Sequence, residues 1–549
     1  MKNISIITFT LLVVANTFDS RACTNFIVTK GASTDGSVMV SYSADSHTLY
    51  GELYYFPAAK HKAGALRRIL DWETSRPLGS IPEVAQTYNV VGNMNEHQVI
   101  IAESTFGGRS ELVDPTGLID YGSLMYIALQ RSKTALEAVH VMTSLVETYG
   151  FYSSGESFSI ADKNEAWIME MVGKGPGSKG VLWVALRIPD GYICAHANQA
   201  RITTFPKNDP ENCLYSKDVI AFARERGWYS GSDDDFSFSD TYCPLSFQNA
   251  RFCEMRVWSF YKDFSDDMMQ YFDYAKGYDL NNRMPLWIKP NRKLSPKDVM
   301  NGMRDHLEDT DLDMRKDIGA GPHGLPYRWR PLTWKVDDAT FCNERATATQ
   351  QTGFWFVGQA RSWLPDLIGG ILWFGVDDAA TSALTPMYSS ITKIPHVFEE
   401  GNGSMFEYSE TSAFWLFNLV ANFSYLRYDV MAADVCNVMH ELEDGFLKDV
   451  IRNDAEALAI YRKNPKKAQK YLTDYSIRQA DVTFQRYKKL SQYLLLKYID
   501  GNIKKEKDGK LILNEHNTTV ASPDQPGYPE EWLRKIVEDT GDQLRVHDD

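Results

Sequence analysis

Short apolar runs bounded by turn signals fill the first two hundred residues, whereas apolar positions at 3.6-residue spacing fill the stretch from 408 to about 500. Sheets are therefore expected first and long helices last. Residues 24–30 read as a strand, Ser33-Thr34-Asp35-Gly36 as a tight turn with an Asp-Gly signal, and 37–43 as the returning strand. That places Asp45 just past the end of the hairpin. Further strands are expected at 50–56, 88–92 and 99–103, with a Lys/Arg-rich loop after the first and Asn93-Met94-Asn95-Glu96 between the other two.

Two helices follow. Residues 120–131 carry apolar side chains at helical spacing, and 133–149 opens on Ser132 and Thr134 with Glu137 in the capping-box position and stops at Gly150. Strands resume at 157–161, 166–172, 181–188 and 192–197 around polar turns. Strands, two helices and more strands predict an α+β chain with helices packed on paired sheets. Residues 200–335 read as irregular, with helices at 217–226 and, behind Ser295-Pro296, at 297–307. Strands return at 340–345, 353–359 and 371–374. The helical region beyond 408 is interrupted near Asn464-Pro465, and the last fifty residues form a polar tail with one short helix.

Composition changes the picture only by exclusion. The chain of 549 residues carries a net charge of −14 and has no basic run interleaved with aromatics, so nucleic acid and anionic membrane are poor partners. No apolar run after the first 22 residues reaches the roughly 18–20 that a membrane helix needs, so no membrane span is expected. Residues 1–22 themselves read as a secretory leader: Lys2 is the positive region, 4–15 the apolar core, and Ser20-Arg21-Ala22 supplies small residues at both cleavage positions. The expected organisation is a leader at 1–22, a catalytic domain at 23–400, a helical region at 401–500 and a tail at 501–549, exported to a periplasmic or extracellular space. A homo-oligomer is left open. Of seven cysteines, at most Cys213 is expected to pair with Cys243 or Cys253, the alternative being buried free thiols.

Several chemical signatures fall away. Gly173, Gly175, Gly177 and Gly180 join one strand to another and offer a phosphate no helix N-terminus. Asp309, Asp311 and Asp313 begin like a calcium loop, but Met314 replaces its turn glycine; His440-Glu441 lacks the second histidine of a zinc helix, with Asp444 in its place. No metal and no cofactor is expected. Cys23 is different. Cleavage after Ala22 would leave an α-amino group and a thiol on one residue, a self-contained nucleophile and base. The rival reading is a lipid-anchored binding protein, against which stand Ser20 and the bulky, charged Arg21 where an apolar and a small residue would be expected.

Cys23-Thr24-Asn25-Phe26-Ile27-Val28, Ala32-Ser33-Thr34-Asp35-Gly36-Ser37 and Ser43-Ala44-Asp45 resemble the mature start of the N-terminal-nucleophile (Ntn) cysteine dipeptidases, the dipeptidase A and secernin family, distantly similar to penicillin V acylase and bile-salt hydrolase. The likeness continues through Asn93-Met94-Asn95-Glu96, Glu165-Ala166-Trp167-Ile168-Met169-Glu170, His196-Ala197-Asn198-Gln199-Ala200-Arg201-Ile202, Asn343-Glu344-Arg345 and Trp373-Phe374-Gly375-Val376-Asp377-Asp378. The resemblance implies an Ntn-hydrolase αββα four-layer sandwich with helical C-terminal additions, and dipeptides as substrates. An acylase of a penicillin- or bile-salt-type amide is the alternative within that class. By the same resemblance Cys23 is the nucleophile, Asp45 holds the α-amino group, Asn198 is the side-chain oxyanion donor and Asn95 lies where the second oxyanion contact is expected. Many relatives carry an arginine three residues before that aspartate. This chain has Tyr42, so the charge contact near the thiol is either missing or supplied by Arg251 or Arg256.

Overall fold

Two antiparallel sheets dominate the described residues, 22–547 of the chain in this computed structural model. The expected leader, residues 1–22, lies outside the described residues except for Ala22. At the centre of the first, seven-stranded sheet is the hairpin read from the sequence, Ala22–Val28 paired with Val38–Asp45. Ile193–His196 flanks it on one side and Thr352–Ala360 on the other, followed by Gly370–Val376 and Thr385–Tyr388. In the eight-stranded second sheet Ile100–Gly107, Gly155–Ala161, Ala166–Gly173 and Val181–Arg187 lie in a row.

The sheets meet across a largely apolar core that holds several hydrogen-bonded polar groups. Asn25 Nδ2 donates to the Glu103 carbonyl at 2.5 Å, and the His196 ring sits between Ser104 Oγ and Ser159 Oγ, 2.7 Å from each. Burial pushes His196 down to about 3, so the ring is neutral and acts as a polar peg between the sheets.

Helices cover the other faces because each has one apolar side to bury. Tyr121–Arg131 and Ala135–Tyr149 pack on the second sheet, while Ala413–Leu426, Tyr428–Tyr461 and Pro465–Tyr498 pack on the first. Local signals set their ends. Thr134 Oγ1 accepts from the Glu137 N–H at 3.1 Å, and Gly150 ends that helix at φ +79°. Asn464 caps the last long helix through the Lys467 N–H, with Pro465 as its first residue.

Several expectations change. The hairpin ladder runs on to pair Ala22 with Asp45, so Asp45 is the last residue of its strand rather than beyond it. The Lys/Arg-rich stretch is not a loop but a hairpin, Leu66–Leu70 with Pro77–Pro82, whose exposed, charged face hides its alternation. Within the stretch read as irregular, a five-residue π turn, Ala250–Glu254, runs into the helix Met255–Lys262. Residues 255–261 of that helix are all buried, so no polar stripe marks it as amphipathic. All seven cysteines are free thiols, and Cys213 pairs with neither Cys243 nor Cys253.

Candidate active site

Strand alternation gives Cys23 its surroundings. Cys23 and Asn25 point toward the second sheet, where the Cys23 sulfur lies 3.4 Å from Glu103 Oε1 and Asn25 reaches the Glu103 carbonyl. Thr24 and Phe26 point the other way, onto the helix Met255–Lys262. There Phe26 and Phe260 stack with centroids 3.8 Å apart, both rings buried, a contact that stabilises the docking by about 2–3 kcal/mol per ring. Four residues before Phe260 on the same helical face, Arg256 donates to the Cys23 carbonyl at 2.8 Å and to Thr24 Oγ1 at 2.9 Å. The aromatic stack thus sets the position of the guanidinium.

Asn198 follows the strand Ile193–His196 in the left-handed region, φ +58°, which asparagine tolerates better than most residues. That turn brings its side chain to the nucleophile's backbone. Asn198 Oδ1 accepts from the Cys23 N–H at 2.8 Å and from Arg256 at 3.0 Å, while its Nδ2 donates to the Thr105 carbonyl at 2.6 Å. The loop behind it is braced by buried Arg201, whose guanidinium pairs with Glu254 at 2.9 Å and whose backbone N–H donates to Glu170.

Asp45 is held elsewhere. Its Oδ2 accepts from Arg345 at 2.6 Å and its Oδ1 from Thr352 at 2.7 Å, all within the interior. Burial raises the Asp45 carboxyl above the usual range, and Arg345 and Thr352 pull it back. The Asp45 backbone N–H faces the Cys23 sulfur.

The thiol itself is held neutral. Burial pushes Cys23 well above an ordinary cysteine, the charges of Glu103 and Asp45 push it the same way, and the Asp45 N–H and the Tyr42 hydroxyl act against them. Tyr42 donates to Glu103 Oε1 at 2.5 Å. Burial raises both Glu103 and Glu156, its neighbour on the next strand, and the Glu103 charge lifts Glu156 further, well above the carboxylate range.

These groups open into a cavity of about 100 Å³. Cys23, Tyr42, Asp45 and Glu103 form its floor, and Trp72, Glu73 and Tyr121 close it from the side of the unforeseen hairpin. Trp72 can lie there because residue 122 is glycine: a Cβ at that position would sit 2.4 Å from the indole. Asp120 fixes the join, accepting from the Trp72 N–H at 3.1 Å and capping the helix Tyr121–Arg131 through Gly122 and Ser123.

The structure therefore brings Cys23, Asp45 and Asn198 together and leaves Asn95 out. Asn95 Nδ2 donates to the carbonyls of Leu129 and Ser132, and its Oδ1 accepts from the N–H groups of His97 and Val99. A side chain bound to four backbone groups fixes a turn, and Asn93 is the asparagine of that segment that lines the cavity. Asn198 holds the Cys23 nitrogen in the place expected of Asp45. Of the two candidate arginines Arg256 reaches Cys23, whereas Arg251 pairs with Glu344. Glu103 and Arg345 were not singled out by the sequence reading. A lone acid closing the apolar run Val99-Ile100-Ile101-Ala102 was the available signal for the first, and Asn343-Glu344-Arg345 contained the second without a role.

The chain is similar to several known proteins. A probable dipeptidase of Latilactobacillus sakei is 25% identical over 73% of this chain and 80% of its own length. Dipeptidase A of Lactobacillus helveticus is 24% identical over 77% and 84%, and probable dipeptidase B of Streptococcus pyogenes serotype M1 is 22% identical over 87% and 93%. The family model of Peptidase family C69 matches residues 54–441, so the chain belongs to Peptidase family C69.

Proposed function

We propose that the protein is an exported dipeptidase that uses Cys23 as an N-terminal nucleophile. The observation that carries this reading is a buried cysteine sulfur on the floor of a small cavity, with its own backbone nitrogen held by Asn198 and its carbonyl by Arg256. The names of the C69 relatives, all dipeptidases, support the substrate class. Helix, sheet, sheet and helix in contact in that order support the αββα Ntn arrangement.

In the described chain the Cys23 nitrogen is an amide, planar and unable to take a proton at neutral pH. Removal of residues 1–22 turns it into an amine, still beside Asn198 Oδ1. That amine accepts the thiol proton and the thiolate attacks the peptide carbonyl, forming a carbon–sulfur bond and an oxyanion. One N–H of the Asn198 amide is engaged by Thr105, and the other is proposed as the oxyanion donor. Collapse of the intermediate breaks the C–N bond, the ammonium of Cys23 protonates the departing amine, and water then hydrolyses the thioester. The test compares the chain beginning at Cys23, the same chain carrying Cys23→Ala, and one with a single alanine placed before Cys23. Only the first should hydrolyse a dipeptide at a measurable rate, since the extra residue moves the amine away from the thiol. Equal turnover by the extended chain, with its start verified by mass, would overturn the mechanism.

A further inference from the structure

A carboxylate 3.4 Å from a cysteine sulfur hinders the chemistry of that sulfur, because it opposes formation of the thiolate. Glu103 occupies this place in the core, 1% exposed. The donors beside it do not neutralise it. Tyr42 gives a neutral hydroxyl to Oε1, the Cys23 thiol faces the same oxygen, and Oε2 has no hydrogen-bond partner among the described residues. The other acid on the cavity floor, Asp45, already has Arg345 as its counter-ion. Among the described residues lining the cavity there is no lysine, arginine or histidine, so beyond the α-amine that Cys23 gains when residues 1–22 are removed, a positive charge beside Glu103 has to arrive with the ligand.

The ligand chemistry follows from a distance. In a dipeptide the α-nitrogen lies about 2.5 Å from the carbonyl carbon, two bonds away. A carbonyl carbon brought to the Cys23 sulfur can therefore place its own α-ammonium within hydrogen-bonding reach of a carboxylate oxygen 3.4 Å from that sulfur. We propose that Glu103 is the specificity-determining residue of this cavity, its carboxylate receiving the α-ammonium of the substrate's first residue as the carbonyl carbon faces Cys23. This rests on the dipeptidase reading above. Binding then does two things at once: it pairs the buried carboxylate, and it removes the charge that opposes the thiolate. Trp72, Tyr121 and Tyr42 line the same cavity, and the face of such a ring favours a cation in a desolvated site. A substrate without that ammonium leaves Glu103 unpaired beside the developing thiolate.

The test uses the chain beginning at Cys23 with two substrates that differ only in the amine, alanyl-alanine and propionyl-alanine. The wild type should favour alanyl-alanine by roughly tenfold to a hundredfold in kcat/KM, the range of one charged hydrogen bond. Glu103→Gln should lower kcat/KM for alanyl-alanine by a similar factor and leave propionyl-alanine unchanged or faster. The same variant should be alkylated faster by iodoacetamide at neutral pH, because the thiol loses a negative neighbour. A general structural defect would slow both substrates. Equal cleavage of the two substrates by the wild type, a measurement that needs no variant to fold, overturns the proposal while leaving the hydrolase reading intact. So does a parallel fall on both substrates in Glu103→Gln. Cleavage of neither substrate by the wild type overturns the dipeptidase reading and this inference with it.

Discussion

Replacing Arg345 with methionine tests whether the ion pair behind Cys23 is what keeps Asp45 ionised. The guanidinium lies 2.6 Å from Asp45 Oδ2, with the two residues 3% and 2% exposed. At an effective dielectric of about 20, unit charges at that separation attract by roughly 6 kcal/mol. Methionine fills much of the arginine volume and no longer has a charge to desolvate, so part of that attraction is returned. The net loss should be roughly 3–5 kcal/mol, the range seen when one partner of a buried pair is removed. Thr352 at 2.7 Å remains, but a neutral hydroxyl does not compensate a carboxylate in the interior. Asp45 should respond by taking a proton.

Because burial already raises the Asp45 carboxyl and Arg345 opposes that rise, the variant's folded-state value moves further up. A raised acid contributes stability below its unfolded value and loses it as pH climbs through the folded one. The deficit of Arg345→Met should therefore be smaller at pH 5 than at pH 7.5. Urea unfolding at both pH values measures it, alongside Asp45→Asn and the double variant. The double variant should be less destabilised than the sum of the singles by about 1–3 kcal/mol, since the neutral amide no longer needs a counter-ion. Additive singles, or a deficit that does not change with pH, would refute the reasoning.

Asn95→Ala should lower stability by roughly 2–4 kcal/mol, four backbone hydrogen bonds being lost, while the folded variant keeps kcat/KM within about threefold of wild type; urea midpoints and dipeptide kinetics separate the two. Arg256→Lys should lower kcat/KM on the order of 10²-fold, because a single ammonium cannot hold the Cys23 carbonyl, Thr24 and Asn198 together, and a misplaced nucleophile loses rate steeply. Asp377, raised to about 8 by burial and by Asp378, makes folding stability fall as pH rises between about 4 and about 8, by up to about 1.4 kcal/mol per unit. Asp377→Asn keeps a residue suited to its φ of +66° and should flatten the slope of unfolding free energy between pH 5 and 7.5 by up to that amount.

Glu103 was beyond reach of a reading along the chain because its meaning depends on two strands that meet only when the sheets pack. A carboxylate after four apolar residues reads as the end of a strand; beside Cys23, 80 positions earlier, it becomes the charge that any substrate has to answer. Asn93 and Asn95 illustrate the same limit at short range. Both types suit a turn, and only the tight pairing of Val90–Val91 with Met94–Asn95 decides that Asn95 is bound wholly to backbone while Asn93, which donates to the Ile101 carbonyl, also lines the cavity.

What the sequence determined by itself was local. The Asp-Gly hairpin, the Thr134 and Asn464 caps, the stop at Gly150 and the cysteine at the head of the first strand follow from φ/ψ preferences, hydrogen bonds within a few residues and side-chain periodicity, all carried by neighbouring positions. The tertiary structure decided the choice of Arg256 over Arg251, the counter-ion of Asp45, and the hairpin that closes the cavity over Tyr121. Those outcomes turn on desolvation. An arginine or a glutamate is unremarkable in water, and its partner matters only after packing has removed the water, which no stretch of sequence shorter than the fold can specify.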